Sequence, residues 1–400
     1  MCLLIESTSK HRKLMINSTT YNYLNSQETP FYYYDLELLN STLKSIKEEA
    51  AQYNYHVHYA IKANANPRIL SLIQTFGLGA DCVSGNEIKR ALENDFPANK
   101  IVYAGVGKSD KEIEIALDAH IFCFNCESIP EIEVIDEIAK SKNKIANIAL
   151  RINPNVNANT HHYITTGIAE NKFGINPWEF EEILQLLENS ENINLIGLHF
   201  HIGSQIVDLS VFKSLCLRIN EIQDWFLDHQ IIVDHINVGG GFGINYHKPD
   251  EEPIPDFKNY FALFNEFLSL KANQELHFEL GRSIVGQCGS LISRVLYVKN
   301  GINTNFTILD AGMTELLRPA LYQAYHKIEN LSSKDLPENY DVVGPICESS
   351  DCFGKAVSLP KTKRNDLIAI RSTGAYGEVM ASNYNLRLIA KSFFSYDIKK

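Results

Sequence analysis

The sequence predicts an α/β protein: a parallel (β/α)8 TIM-type barrel followed by a second, C-terminal and mostly-β domain. Three observations carry that prediction. Between residues 57 and 280, eight apolar, β-branched segments alternate with segments of helical period. After Arg282 the helical rhythm stops and strand-like runs follow one another. Polar, chemistry-bearing residues collect at the C-terminal ends of five of the eight segments, which is the rim where barrels of this kind build their sites.

The elements can be read in chain order. Met1-Cys2-Leu3-Leu4-Ile5 is followed by Glu6 and Lys10, an apolar run too short for a secretory leader, and Met15 is a candidate working start that would make residues 1–14 an extension. The aromatic run Phe31–Tyr34 precedes the first barrel helix and is expected to add a strand to the β domain. The barrel is expected over residues 36–286, and the β domain over 1–35 plus 287–400. Strands are predicted at 57–62, 79–83, 101–105, 121–126, 145–153, 195–202, 234–240 and 276–280. Asn86–Leu92, Asp110–Leu117, Ile129–Ala139, Pro177–Leu187 and Val211–Leu227 carry helix-period apolar residues with charges opposite. A doubly wound sheet would show the same alternation, but eight units favour closure into a barrel. Leu291–Val298, Asn305–Leu309, Tyr340–Val343 and Leu367–Arg371 are the strands expected afterwards.

Bulk composition excludes several functions. A chain of 400 residues with 45% hydrophobic content can bury a large core, and its length suggests more than one domain. The formal charge of −11, with no compensating basic stretch, argues against nucleic-acid or anionic-membrane partners. No run approaches the roughly 18 apolar residues of a membrane span. The eight cysteines are scattered, so reduced thiols in a cytoplasm are expected. Cys123 and Cys126 form a C-x-x-C, but within a strand-like run and without a second pair at zinc spacing.

The polar residues at the rim point to one chemistry. Alternation puts His56, His58, Ala60 and Lys62 on one face of the first strand, so Lys62 projects from its end. A lysine beside a turn is ordinarily solvated surface; here strand two supplies Asp81, strand six His199-Phe200-His201-Ile202-Gly203-Ser204, strand seven Gly239–Gly243, and strand eight Glu279-Leu280-Gly281-Arg282. The glycines let backbone amides approach a phosphate, and Ser204 and Arg282 add donors to it. His199 and His201 lie two apart, which permits a metal pair, but a lysine and a glycine cradle have no role in such a site. No metal is therefore expected. His201 suits stacking on a flat cofactor, and His199 a core position. A reactive lysine, a phosphate cradle and a buried acid together describe pyridoxal 5'-phosphate, with Lys62 condensing with its aldehyde and Glu279 pairing with its ring nitrogen.

With those residues in view, the chain resembles the barrel-type pyridoxal phosphate decarboxylases, and within them the branch that acts on meso-diaminopimelate. The likeness runs from about Phe31 to Arg387. It is carried by Tyr59–Asn64, Ala80–Glu87, Arg151–Pro154, His161–Gly167 with Lys172-Phe173-Gly174, His199–Gln205, Gly239–Gly243, Glu279–Arg282, Arg318–Tyr322, Cys347–Asp351, Gly374–Tyr376 and Ser382–Asn385. The resemblance implies that Lys62 holds the cofactor, that His201 stacks on it, and that Ser204, Gly240, Gly241 and Arg282 serve its phosphate, with Asp81, Gly281 and Tyr376 also on the cofactor side. It implies substrate anchors in Arg282, Arg318, Tyr322, Glu348 and Tyr376, and an acid, Cys347, that reaches the site from the second subunit of a homodimer together with Glu348. The expected reaction is loss of CO2 from the D-centre of meso-diaminopimelate to give L-lysine. The alternatives are a decarboxylase of another diamino acid or carboxylated polyamine, a non-catalytic cofactor binder, and a metal-dependent hydrolase. The chain lacks the proline-rich continuation many relatives carry after Arg387, which puts only the C-terminal edge of the β domain in doubt.

Overall fold

The computed structural model describes residues 17–156 and 172–398. The Met15 start and the His161–Gly167 segment lie outside them. Among the described residues, sixteen strands fall into two sheets. β1 (Phe31–Tyr34) belongs to the second domain. β2 (His56–Ala60), β3 (Gly79–Cys82), β4 (Ile101–Tyr103), β5 (Cys123–Cys126), β6 (Ala146–Ile152), β7 (Ile193–Phe200), β8 (His235–Asn237) and β9 (Glu275–Leu280) pair in order and in parallel, and β9 closes on β2. The doubly wound alternative is thereby excluded.

The outer face of the barrel is apolar because a parallel strand covered by helices has no solvated side. On β9, Leu276, Phe278 and Leu280 point outward, and the Phe278 ring packs edge-on against Phe261 and Phe264 at 5.0 Å each. Truncating such a buried phenylalanine to alanine costs about 3–5 kcal/mol. Glu275, His277 and Glu279 alternate with them and face the interior, so one strand carries three polar layers. The helix Leu36–Ala51 shows the same logic: Asp35 caps it by accepting from the Leu38 amide, and Leu39, Leu43 and Ile46 are fully buried against the barrel.

The second domain is one sheet in the order β12-β15-β10-β11-β13-β14, formed by β10 (Gly289–Asn300), β11 (Asn305–Leu309), β12 (Ile328–Asn330), β13 (Pro337–Val343), β14 (Cys352–Pro360) and β15 (Leu367–Ile370). β1 pairs antiparallel with β10 and parallel with β16 (Lys391–Phe394), so the aromatic run does complete this domain. β12, β14 and β16 were missing from the sequence reading, and β13 starts earlier than expected. These strands are short, or polar and flanked by proline, as edge strands tend to be, and that composition hides them.

Two expectations about the rim need correction. β2 ends at Ala60, and Lys62 sits in a single 3-10 turn, Ile61–Ala63, rather than on the strand. β7 ends at Phe200, so His201 lies beyond the strand instead of two places along it from His199. Both residues leave the alternation, which is why their side chains turn into the mouth.

Candidate active site

A cavity of about 990 Å³ opens at the C-terminal mouth of the barrel. Its walls include Lys62, His201, Ser204, Gly241, Glu279, Gly281, Arg282, Arg318, Tyr322 and Tyr376, drawn from both domains. Lys62 Nζ donates to Asp81 Oδ2 at 3.2 Å. Burial works against its ammonium, but Asp81, Tyr376 and Glu279 outweigh that and raise its pKa. Asp81 is fully buried at the end of β3; burial and Glu279 push its pKa up while Lys62 holds it down. Its second oxygen, Oδ1, has no hydrogen-bond partner.

Glu279 lies deeper. Asn125 and Asn237 donate to its Oε1 at 2.9 and 2.8 Å, and His199 Nε2 meets Oε2 at 2.9 Å. Burial opposes ionisation, yet His199, Lys62 and His201 overcome it and hold the carboxyl below its ordinary range. A carboxylate with three converging donors is thus kept ionised in a dry setting. His199 orients this acid, and among the described residues no group of three metal-ligating side chains includes either His199 or His201.

His201 accepts from the Gly240 amide at 3.3 Å through Nδ1. Burial, with Arg151 and Lys62, lowers its pKa well below the ordinary imidazole value, so the ring stays neutral and flat. The glycine turn beside it has no room for side chains. A Cβ on Gly240 would stand 2.1 Å from the Glu279 carbonyl oxygen, and Gly241 has φ +101°. Backbone therefore forms this wall, with amides free to meet an anion.

Cations complete the other wall. Arg282 donates to Ser204 Oγ at 3.0 Å and to the Tyr246 hydroxyl at 2.6 Å, and its Nε has no partner. Arg318 donates to the same hydroxyl at 3.0 Å and meets His326 Nε2 at 2.8 Å. Tyr246 thus bridges two buried guanidinium groups, which hold its phenol below the ordinary value against the effect of burial. Tyr376, at φ +57°, is fixed by its amide donating to Ala63 oxygen at 2.8 Å, and the Arg282 guanidinium lies 4.9 Å from its ring centre.

Cys347 and Glu348 are not brought to this cavity within the chain. Both are exposed in the turn after β13, and Glu348 Oε1 accepts from the Tyr384 hydroxyl at 2.9 Å. Cys123 and Cys126 are buried, unpaired thiols whose Sγ–H groups turn to the Phe124 carbonyl oxygen, and burial pushes both pKa values up. The sequence reading missed Tyr246, Asn125, Asn237 and the role of His199. Only Tyr246 left a trace, three residues after the glycine run.

Comparisons with known proteins agree with this chemistry. Residues 36–286 match the pyridoxal-dependent decarboxylase family, pyridoxal binding domain. The chain is 60% identical over 369 residues to the diaminopimelate decarboxylase of Bacteroides thetaiotaomicron, spanning 92% of this chain and 96% of that protein. It is 43% identical over 360 residues to that of Neisseria meningitidis serogroup B, spanning 90% and 86%. The crystal structure of diaminopimelate decarboxylase from Helicobacter pylori complexed with L-lysine superposes with a TM-score of 0.88 at 40% identity, covering 94% of each chain.

Proposed function

The chain belongs to the family of pyridoxal-dependent decarboxylases, and on that premise we propose how its residues divide the work. It is a carboxy-lyase whose cofactor is pyridoxal 5'-phosphate, and it converts meso-2,6-diaminopimelate to L-lysine and CO2. The observation that carries the substrate assignment is the pair Arg282 and Arg318 around one phenol, in the same cavity as Lys62.

The residues present fit the cofactor. Lys62 supplies the amine for its aldehyde, and Asp81, with a raised pKa and an unpartnered oxygen, is the base within reach of the lysine's proton. The Gly239–Gly241 turn, Gly281, Ser204 and Arg282 form the phosphate side, where Arg282 Nε still has a hydrogen to give. His201, neutral, and Tyr376 line the same cavity, where His201 would lie against the cofactor ring and Tyr376 would serve its phosphate side and the substrate. When bound, the cofactor supplies an electron sink for the pair released at Cα as CO2 departs. Glu279, ionised, keeps the ring nitrogen protonated and so keeps that sink strong.

Arg318, with Tyr322 and Arg282, holds the distal carboxylate of the substrate, and its bidentate fork suits that group. Cys347 and Glu348, exposed and outside the cavity of their own chain, act in the site of a partner subunit. There Glu348 receives the distal ammonium, and the Cys347 thiol returns a proton to Cα. The Cα–carboxylate bond breaks, CO2 leaves, and one proton replaces it. The functional unit is then a homodimer, with residues 36–286 as cofactor domain and 1–35 plus 287–400 as β domain. The seven free thiols among the described residues support a cytoplasmic setting, and no described helix is long and apolar enough to cross a membrane.

Purified protein given meso-diaminopimelate should release CO2 and form L-lysine, while L-lysine and L-ornithine are left intact. Equal turnover of ornithine would transfer the assignment to the broader diamino-acid reading. Mixing inactive Lys62→Ala with inactive Cys347→Ala should restore activity through hybrid dimers. Failure to do so would place the acid elsewhere.

A further inference from the structure

The opposite mouth of the barrel carries a second cluster of chemistry-bearing side chains, unrelated to the decarboxylation site. β2 and β9 pair with His56 opposite His277, and Glu275 lies two residues before His277 on the same face. Glu275 Oε2 is 3.4 Å from His277 Nε2 and 3.6 Å from His56 Nε2, and one ligand atom from each residue lies within 4.8 Å of the others. His277 is buried, whereas His56 and Glu275 are partly exposed and border a cavity of about 400 Å³.

Hydrogen bonding fixes which nitrogens carry protons. The Lys100 carbonyl can only accept, so His58 Nδ1, 3.1 Å away, bears a hydrogen. In a neutral ring, His58 Nε2 is then an acceptor, and His277 Nδ1 donates to it at 2.9 Å. With His277 neutral as well, its Nε2 carries a bare lone pair 3.4 Å from the carboxylate oxygen of Glu275. Two electron-pair donors set against each other repel unless a positive centre lies between them. We propose that His56, Glu275 and His277 bind one divalent transition cation of the zinc class at the N-terminal mouth of the barrel.

The dimensions suit such an ion. Tetrahedral zinc with bonds near 2.1 Å separates its ligand atoms by about 3.4 Å, close to the 3.4 and 3.6 Å found here. The partly exposed His56 side chain has the freedom to close the remaining gap. Behind His277, the carbonyl–His58 relay supplies the outer-shell hydrogen bond that ligating histidines use to fix their tautomer. Gly79 is required for that relay, because a Cβ there would sit 2.3 Å from His58 Nδ1 and 2.4 Å from the Lys100 oxygen. The ion would clamp the first barrel strand to the last, at the end of the barrel where residues serve stability rather than catalysis.

The test uses tag-free, pyridoxal phosphate-loaded protein, stripped with a chelator and titrated with zinc chloride by calorimetry and thermal melting. Expected is saturable uptake of one zinc per chain with a rise in Tm. Glu275→Gln and His56→Gln, both at partly exposed positions, should each weaken uptake at least about tenfold while colour and turnover stay as in the parent. Absence of saturable uptake would overturn the proposal, meaning that a proton alone balances the cluster. Unchanged uptake in both variants would overturn it too, by putting the ion elsewhere.

Discussion

The two mouths of the barrel share a strand and share residue types, yet they are built for different ends. β9 offers Glu279 at one mouth and Glu275 at the other, with His277 between, all on the inner face. At the C-terminal mouth two amides and a histidine converge on Glu279, which is 6% exposed, and the charge is locked in place. At the N-terminal mouth Glu275 faces two imidazole nitrogens from beside open solvent. A carboxylate's role is thus set less by its own identity than by how many donors the other seven strands aim at it.

Variants can break this contrast in order of effect. The largest is Lys62→Ala, which should bring turnover to background and abolish the long-wavelength absorbance of the bound cofactor, read by spectrophotometry. Glu279→Gln keeps the shape but removes the charge. We expect kcat to fall by roughly 10²-fold or more, the scale of a lost preorganised electrostatic partner, with KM little changed in steady-state kinetics. An unaltered kcat would mean that charge at this mouth is structural, as at the other.

Tyr246→Phe should act next, since it deprives both Arg282 and Arg318 of an acceptor. Urea unfolding should show a loss of about 1–3 kcal/mol, and KM for the diamino acid should rise more than kcat falls. A smaller effect belongs to His326, which burial and Arg318 hold at about 3 against the ordinary 6.5. Below pH 6.5 the unfolded chain takes up a proton that the folded one refuses until about 3, so stability falls as pH falls through that window. The slope from this group is about 1.4 kcal/mol per pH unit, and His326→Gln should remove that share from urea midpoints measured at pH 7 and pH 5. Least of all, Cys126→Ala should leave turnover unchanged and lower stability by about 1 kcal/mol, because the thiol contributes packing and one long hydrogen bond to the Phe124 carbonyl but no chemistry.

Some of this was legible before any coordinates. The barrel could be read because alternation of helix and strand leaves a periodic apolar signal in each segment, independent of what the segment later touches. Lys62, the glycine turn and Glu279 could be read because each sits at a strand end, next to the pattern that locates it. The strand assignments of Lys62 and His201 failed at the point where the chain leaves the strand and period two no longer applies. β14 stayed hidden because an edge strand with polar and proline residues looks like loop.

What the sequence by itself determined, then, is the local repertoire: which stretches become strands, where a backbone without side chains must pass, and which amine stands at the rim. Only the tertiary structure decided the company each group keeps. Asn125, His199 and Asn237 reach Glu279 across separations of 154, 80 and 42 residues, and Tyr246 reaches Arg318 across 72. Contacts at such distances leave no local period, since closing the barrel, rather than any neighbouring residue, brings them together.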